Sequence, residues 1–273
     1  MRIREALAAA QAMGVARLDV QLLLAHQLGC SRAWLLAHDD APLSDAQAAT
    51  LQDMLARRAA GEPLAYVIGQ AEFCGLRLQV SPAVLVPRPE TELLVEWALE
   101  LLPADTVDEL IDLGTGSGAI ALALQRERPQ ARLTATDASS DALTIARANA
   151  QRLGLPLRFA QGDWWAAVRG HRYTLALSNP PYVAGDDPHL AALQHEPRAA
   201  LTPEGDGLQA LRHIVAGAPA HLERGAWLLL EHGHDQAVAV QQLLLVSGFV
   251  DAQTRADLAG LPRCSGARWP GAN

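Results

Sequence analysis

The stretch Asp112-Leu113-Gly114-Thr115-Gly116-Ser117-Gly118 decides the fold. It follows the apolar run Leu110-Ile111 and precedes Ala119-Ile120-Ala121-Leu122, so it reads as the turn between a strand and a helix. Gly114, Gly116 and Gly118 let the backbone bend sharply and let a ligand approach it closely. Nineteen residues beyond Gly118, Asp137 ends the next strand-like run in Thr136-Asp137-Ala138. A carboxylate at that place can accept the hydroxyl protons of a ribose. The spacing of Gly114, Gly116 and Ala119 also passes as a dinucleotide fingerprint. The turn therefore points to a nucleoside cofactor without choosing which one.

Outward from the turn, apolar strands alternate with helices. The strands read as 109–113, 132–136, 157–161, 173–178, 226–231 and 249–253, with helices near 118–127, 140–153, 207–216 and 235–247. Such alternation predicts an α/β fold with a parallel or mostly parallel sheet and helices on both faces. Ligands of such sheets bind outside the carboxyl ends of the strands. Asp163-Trp164-Trp165 ends the third strand, where the carboxylate can accept adenine amino protons and an indole can cover the base.

Asn179-Pro180-Pro181-Tyr182 follows the fourth strand. Two prolines fix φ and remove two N–H donors, leaving the Asn179 amide and the Pro180 carbonyl as rigid acceptors beside the Tyr182 ring. That arrangement suits a planar NH2 group, which donates to the acceptors while its face stacks on the ring. Acceptors on its hydrogens favour the positive charge that develops on nitrogen during attack. This tips the cofactor from NAD to S-adenosylmethionine and the chemistry to methyl transfer. Nicotinamide chemistry would want a general acid or base that the pattern lacks.

The remaining chain bounds this reading. Its 273 residues are half hydrophobic and carry net charge −8, with arginine as every one of the 22 Lys+Arg residues. The absence of lysine excludes a Schiff-base lysine and a Walker-type phosphate lysine. The acidic balance argues against a general duplex-DNA binder and suits a basic protein partner. Cys30, Cys74 and Cys264 lie far apart with no CxxC spacing, so they read as reduced thiols. Glu231-His232-Gly233-His234 offers two histidines but no distant third ligand, and no metal site is expected. No run is long enough to span a bilayer and no secretory signal opens the chain, so the cytosol is expected.

Residues 1–70 read as a small helical bundle, with helices over 2–13, 16–28, 32–38 and 44–58. Ser44 and Gln47 form a capping box for the last of these. Residues 71–89 read as a linking β-hairpin, with Phe73, Leu76, Leu78 and Val80 before a turn at Ser81-Pro82 and Val84-Leu85-Val86 after it. Residues 90–273 then form the sheet domain.

These blocks together resemble the PrmC/HemK family, protein-(glutamine-N5) methyltransferases that modify peptide chain release factors. The resemblance begins at Arg57-Arg58 and Gly61-Glu62-Pro63-Leu64-Ala65-Tyr66-Val67. It runs through Val84-Leu85-Val86-Pro87-Arg88-Pro89-Glu90-Thr91-Glu92, the glycine turn, Asp137, Asp163-Trp164 and Asn179-Pro180-Pro181-Tyr182. Later matches are Glu196-Pro197, Gly205-Asp206-Gly207-Leu208, Glu231 with Gly233, and Asp257-Leu258 with Gly260 and Arg263. Position 90 is Glu where many relatives have Asp, and residues 266–273 match nothing in the family pattern. The resemblance implies a Rossmann-like class I methyltransferase sheet. It implies that Gly114, Thr115, Gly116, Ser117, Gly118, Asp137, Asp163 and Trp164 bind S-adenosylmethionine. It further implies that Asn179 touches both cofactor and substrate, and that Pro180, Pro181 and Tyr182 form a glutamine pocket. The implied substrate is the glutamine of the Gly-Gly-Gln motif of release factors, with residues 1–70 docking the factor. An adenine-N6 methyltransferase acting on nucleic acid is the alternative, since a flipped base could use the same four residues.

Overall fold

The computed structural model describes residues 1–271 and divides into two compact units, residues 1–70 and the chain from Ala71 onward. The first unit holds α1 (Ile3–Ala12), α2 (Arg17–Leu28), α3 (Arg32–Ala37), α4 (Asp45–Ala59) and α5 (Leu64–Ile68). Ile3, Leu23, Leu24, Leu35 and Leu51 are buried at its centre. The Ser44 side chain accepts from the Gln47 N–H, and Gln47 returns a bond to the Ser44 N–H, which makes the expected capping box. The short α5 after Pro63 was not expected. Proline there sits just before the first turn, where no N–H is missed. Among the described residues, no helix is long and apolar enough to cross a membrane.

The hairpin departs from expectation. Its strands are β1 (Gln70–Phe73) and β2 (Leu76–Gln79), and its turn is Cys74-Gly75 rather than Ser81-Pro82. Both turn residues have positive φ, 46° and 68°. Two consecutive left-handed residues match the twist of paired strands. Residues 84–86 form no strand. Instead the Val86 N–H donates to the Glu196 carboxylate, at 3.0 Å.

After α6 (Glu92–Leu101) comes the alternating core: β3 (Glu109–Leu113), α7 (Ala119–Glu127), β4 (Arg132–Asp137), α8 (Ser140–Leu153), β5 (Arg158–Gln161) and β6 (Tyr173–Ser178). Then follow α9 (Arg198–Leu201), α10 (Gln209–His221), β7 (Leu222–Glu231), α11 (Ala237–Val246), β8 (Val250–Ala256) and β9 (Pro262–Arg268). The seven-stranded sheet runs β5-β4-β3-β6-β7-β9-β8. Strands β3 to β7 are parallel, and β9 is antiparallel to both its neighbours. Alternate residues feed two cores on opposite faces. Leu110, Leu175 and Leu229 pack with α6 and α7, whereas Ile111, Ala176, Leu228 and Leu230 pack with α10 and α11. Burial on both faces is why β3 and β6 read as continuous apolar runs.

Strand β9 was missed, and part of the unmatched stretch 266–273 lies in it; Ala272 and Asn273 lie outside the described residues. The chain winds from β3 to β5 in one direction and from β6 to β7 in the other. The order reverses between β3 and β6, and a ligand crevice forms at such a switch point, outside the carboxyl ends of the strands.

Candidate active site

The glycine turn leaves the carboxyl end of β3. Gly114, Gly116 and Gly118 have φ of 74°, 56° and 85°, which side-chain-bearing residues adopt only at a cost. Each has different surroundings. A Cβ on Gly114 would lie 3.3 Å from the Trp164 ring, and one on Gly118 would lie 3.0 Å from Leu122 and 3.3 Å from Ala146. A Cβ on Gly116 would meet nothing within 4 Å. Gly114 and Gly118 therefore serve packing, while Gly116 keeps its space open toward the crevice.

Asp137 closes β4 and organises the turn. Its Oδ2 accepts from the Gly116 N–H and its Oδ1 from the Ser139 N–H, both at 2.9 Å. Burial raises its pKa against the pull of those amides. Beneath the turn, Asp112 is fully buried. Its Oδ2 accepts from the Thr115 hydroxyl at 2.6 Å, and no partner reaches its Oδ1. Burial pushes this carboxyl up to about 7. Asn149, also fully buried, donates to the Ser117 and Gln79 carbonyls and so ties the turn to the hairpin. Neither Asp112 nor Asn149 was assigned a role from sequence.

A cavity of about 280 Å³ lies over these groups. It is lined by Gly114 to Ser117, Asp137, Asp163, Trp164, Asn179 and Pro181 among the sequence-predicted residues. Gly118, Pro180 and Tyr182 do not line it. Gly118 caps α7, Pro180 is buried, and Tyr182 points to Glu231. Trp164 has φ of 46°, a left-handed conformation unusual for a bulky residue. Trp165, by contrast, is buried and donates from Nε1 to the Ile214 carbonyl at 2.8 Å, so it caps the sheet core.

The acceptor loop is held from several directions. The Ser178 hydroxyl donates to the Leu113 carbonyl at 2.7 Å, joining the ends of β6 and β3. Asn179 Nδ2 donates to the Thr91 hydroxyl at 3.0 Å. The Tyr182 hydroxyl donates to Glu231 Oε1 at 3.1 Å, and Gln236 Nε2 donates to the Tyr182 carbonyl at 3.0 Å. Gly207 lies so close that a Cβ there would be 2.3 Å from the Tyr182 carbonyl oxygen. Burial, with Glu231 alongside, raises the Tyr182 phenol, which therefore stays neutral. Burial likewise pushes Glu231 up to about 7.

Thr91, Glu196 and Glu231 were quoted as motif residues but given no role from sequence. Glu196 is buried, pairs with Arg88 and accepts from the Val86 N–H, so it clamps the loop at the cavity wall. No local spacing could reveal this, because the partners stand 110 positions apart. In the Glu231–His234 stretch, His232 is fully buried with Nδ1 on the Gly233 carbonyl and Nε2 on the Ser265 hydroxyl, each at 2.8 Å. No group of three His, Cys, Asp or Glu among the described residues is placed to hold a metal.

The model of the PrmC N-terminal domain matches residues 1–69, and the methyltransferase small domain matches residues 90–213. The release factor glutamine methyltransferase of Burkholderia pseudomallei is 52% identical, over 93% of this chain and 92% of its own. That of Salmonella typhimurium is 42% identical, over 93% and 92%. A solved methyltransferase from Pyrococcus furiosus superposes with TM-score 0.55 at 18% identity, over 81% of this chain and all of its own, which shows the shared fold. The hMettl16 catalytic domain, solved with a 3'UTR hairpin, reaches 0.58 at 15% identity over 84% and 83%, again as fold alone. With an N-terminal domain match, a methyltransferase domain match and relatives at this identity over nearly its whole length, the chain belongs to the release factor glutamine methyltransferase family.

Proposed function

We propose that this chain binds S-adenosylmethionine at the carboxyl ends of β3 to β6 and methylates the side-chain amide nitrogen, N5, of the glutamine in the Gly-Gly-Gln motif of a peptide chain release factor. The observation that carries this reading is one cavity shared by Asp137 and the open side of Gly116 with Asn179 and Pro181. The residues fit the group. Asp137 keeps lone pairs for ribose hydroxyls beyond the two amides it already accepts. Trp164 and Asp163 line the same cavity, with an indole to cover an adenine face and a carboxylate to accept its amino protons. When bound, the cofactor supplies a methyl group on a cationic sulfur, a strong leaving group.

The protein's share is then mainly positioning. An amide nitrogen is a poor nucleophile because its lone pair is delocalised into the carbonyl. Asn179, which lines the cavity, accepts an amide hydrogen through its Oδ1, holds the lone pair toward the methyl carbon, and stabilises the charge that appears on nitrogen. Tyr182, anchored through its hydroxyl to Glu231 and through its carbonyl to Gln236, fixes the loop that carries Asn179. No strong general base is needed, because the methylated cationic nitrogen releases its proton readily. The relatives favour glutamine over adenine as acceptor.

A glutamine side chain is too small to be selected alone, so a wider surface must choose the factor. We assign much of that surface to residues 1–70, and place the reaction in the cytosol. Mass spectrometry of release factor incubated with labelled cofactor should show one methyl on that glutamine; an unmodified glutamine overturns the proposal. A folded chain lacking residues 1–70 should show a raised KM for whole release factor with cofactor affinity little changed. Equal efficiency would remove the docking role.

A further inference from the structure

The cavity is asymmetric in charge. Among the residues that line it, Asp137 and Asp163 are the acids and Arg88 is the one cation. The two acids already have work at the nucleoside. Arg88 lies on the Asn179 side, where the acceptor nitrogen meets the methyl group. Its carbonyl accepts from the Thr91 N–H at 3.1 Å, and the Thr91 hydroxyl accepts from Asn179 Nδ2 at 3.0 Å. S-adenosylmethionine is asymmetric too. Beyond the sulfur, its amino-acid end carries a carboxylate, and a carboxylate withdrawn from water needs hydrogen-bond donors.

The glycine turn has few to offer. The Gly114 and Thr115 N–H groups both donate to the Thr136 carbonyl, at 2.9 and 2.8 Å. The Gly116 N–H goes to Asp137 and the Gly118 N–H to the Thr115 carbonyl, each at 2.9 Å. The Thr115 hydroxyl is committed to Asp112 at 2.6 Å. The chain has no lysine, and no other arginine lines the cavity.

Arg88 has donors to give. A guanidinium carries five N–H groups in a planar fork that meets a carboxylate at two points. The one hydrogen bond that its side chain makes among the described residues runs from Nη2 to Glu196. The group is also held still. Pro87 and Pro89 flank it, and its backbone is extended, with φ of −101° and ψ of 143°. Its partner Glu196 is buried and fixed in turn by the Val86 N–H. A donor already fixed in place loses less freedom on binding than a loose one.

We propose that Arg88 is the carboxylate anchor of the cofactor site, the group that holds the amino-acid end of S-adenosylmethionine. Asp137 and Asp163 take the nucleoside and Arg88 the opposite end, so the charges of the cavity fix which way round the cofactor lies. Arg88 thereby also selects the intact cofactor over one that lacks its carboxylate. This inference rests on the proposed cofactor and adds the residue that recognises its far end.

The test is calorimetry on the full-length chain with two probes, S-adenosylmethionine and its decarboxylated form, in which hydrogen replaces the carboxylate. The parent should bind the intact cofactor roughly 10- to 100-fold more tightly, the scale of a hydrogen bond between charged groups. Arg88→Gln should lose most of that preference. Its affinity for S-adenosylmethionine should fall by a similar factor, while the decarboxylated form stays within about threefold of its parent value. Arg88→Lys, a charge without the fork, should fall between the two. Melting curves establish that each variant is folded.

A residue that only clamped the loop against Glu196 would weaken both probes equally. Equal loss for both probes in a folded Arg88→Gln, or parent-like affinity for S-adenosylmethionine, therefore overturns the inference. So does a parent that binds the two probes alike, a result that needs no variant to fold. A parent that binds neither probe would overturn the cofactor reading itself, and this inference with it.

Discussion

The glycine turn and the acceptor loop face one cavity but are built by opposite means. The turn is made mostly of backbone: left-handed glycines and amides aimed at Asp137, which stands 21 positions from Gly116. The acceptor loop is made of side chains brought from afar, with Thr91, Glu231 and Gln236 lying 88, 49 and 54 positions from their partners. Each region also hides a carboxyl in the protein interior, Asp112 beneath the turn and Glu231 beneath the loop. The cofactor end can thus lose one side chain and keep its shape. The acceptor end concentrates its function in single polar atoms.

If that contrast holds, Asn179→Ala gives the largest effect. Turnover should fall on the order of 10²-fold or more while the melting temperature moves little, and a near-normal rate on release factor would erase the distinction. Asp137→Ala should come next. Calorimetry should show S-adenosylmethionine binding weakened by roughly 1–3 kcal/mol, the scale of lost hydrogen bonds to a charged group, with binding still measurable. A loss of folding would show that the turn depends on this side chain after all.

The last effect falls on stability rather than on turnover or binding, and it follows pH. Asp112 and Glu231 both have folded pKa values raised to about 7 by burial, above the unfolded carboxylate range. The folded state therefore holds their protons between about pH 4 and 7 while the unfolded state releases them. Each group's contribution is fully present below the unfolded pKa and is lost as pH rises through 7. The slope is at most about 1.4 kcal/mol per pH unit per group. Denaturant melts should show the parent losing stability relative to Glu231→Gln across this window, and likewise relative to Asp112→Asn. Parallel pH curves would show that these carboxyls are not shielded as described.

Sequence reading reached what is local. The glycine turn, Asp137 and the capping box at Ser44 and Gln47 are contiguous or regularly spaced, and each has a physical reason visible in a few residues. The order of strand and helix from β3 to β8 follows from apolar runs. Strand β9 escaped because Pro-Arg-Cys-Ser-Gly-Ala-Arg has no β-branched or aromatic residue. Its extension is imposed by strands on both sides, and Gly266 is needed because Leu229 and the Trp97 ring would lie 2.5 Å and 2.9 Å from a Cβ. The hairpin turn escaped because Cys74 is left-handed without being glycine. Thr91 and Glu231 carried no legible role because their partners are set by tertiary packing.

The position of β9 has a consequence for the chain's own synthesis. This strand is the last of the described residues to join the sheet, yet it lies inside it, between β7 and β8. The nascent chain thus delivers the outer strand before the one that attaches it. Until residues through Arg268 emerge from the ribosome, the flank of β7 stays uncovered, and β8 has nothing to pair with. An open strand flank is a template for sticking to other chains. A ribosome that stopped before Pro262 would release a product with all of its cavity-lining residues already made and its sheet left open to aggregation.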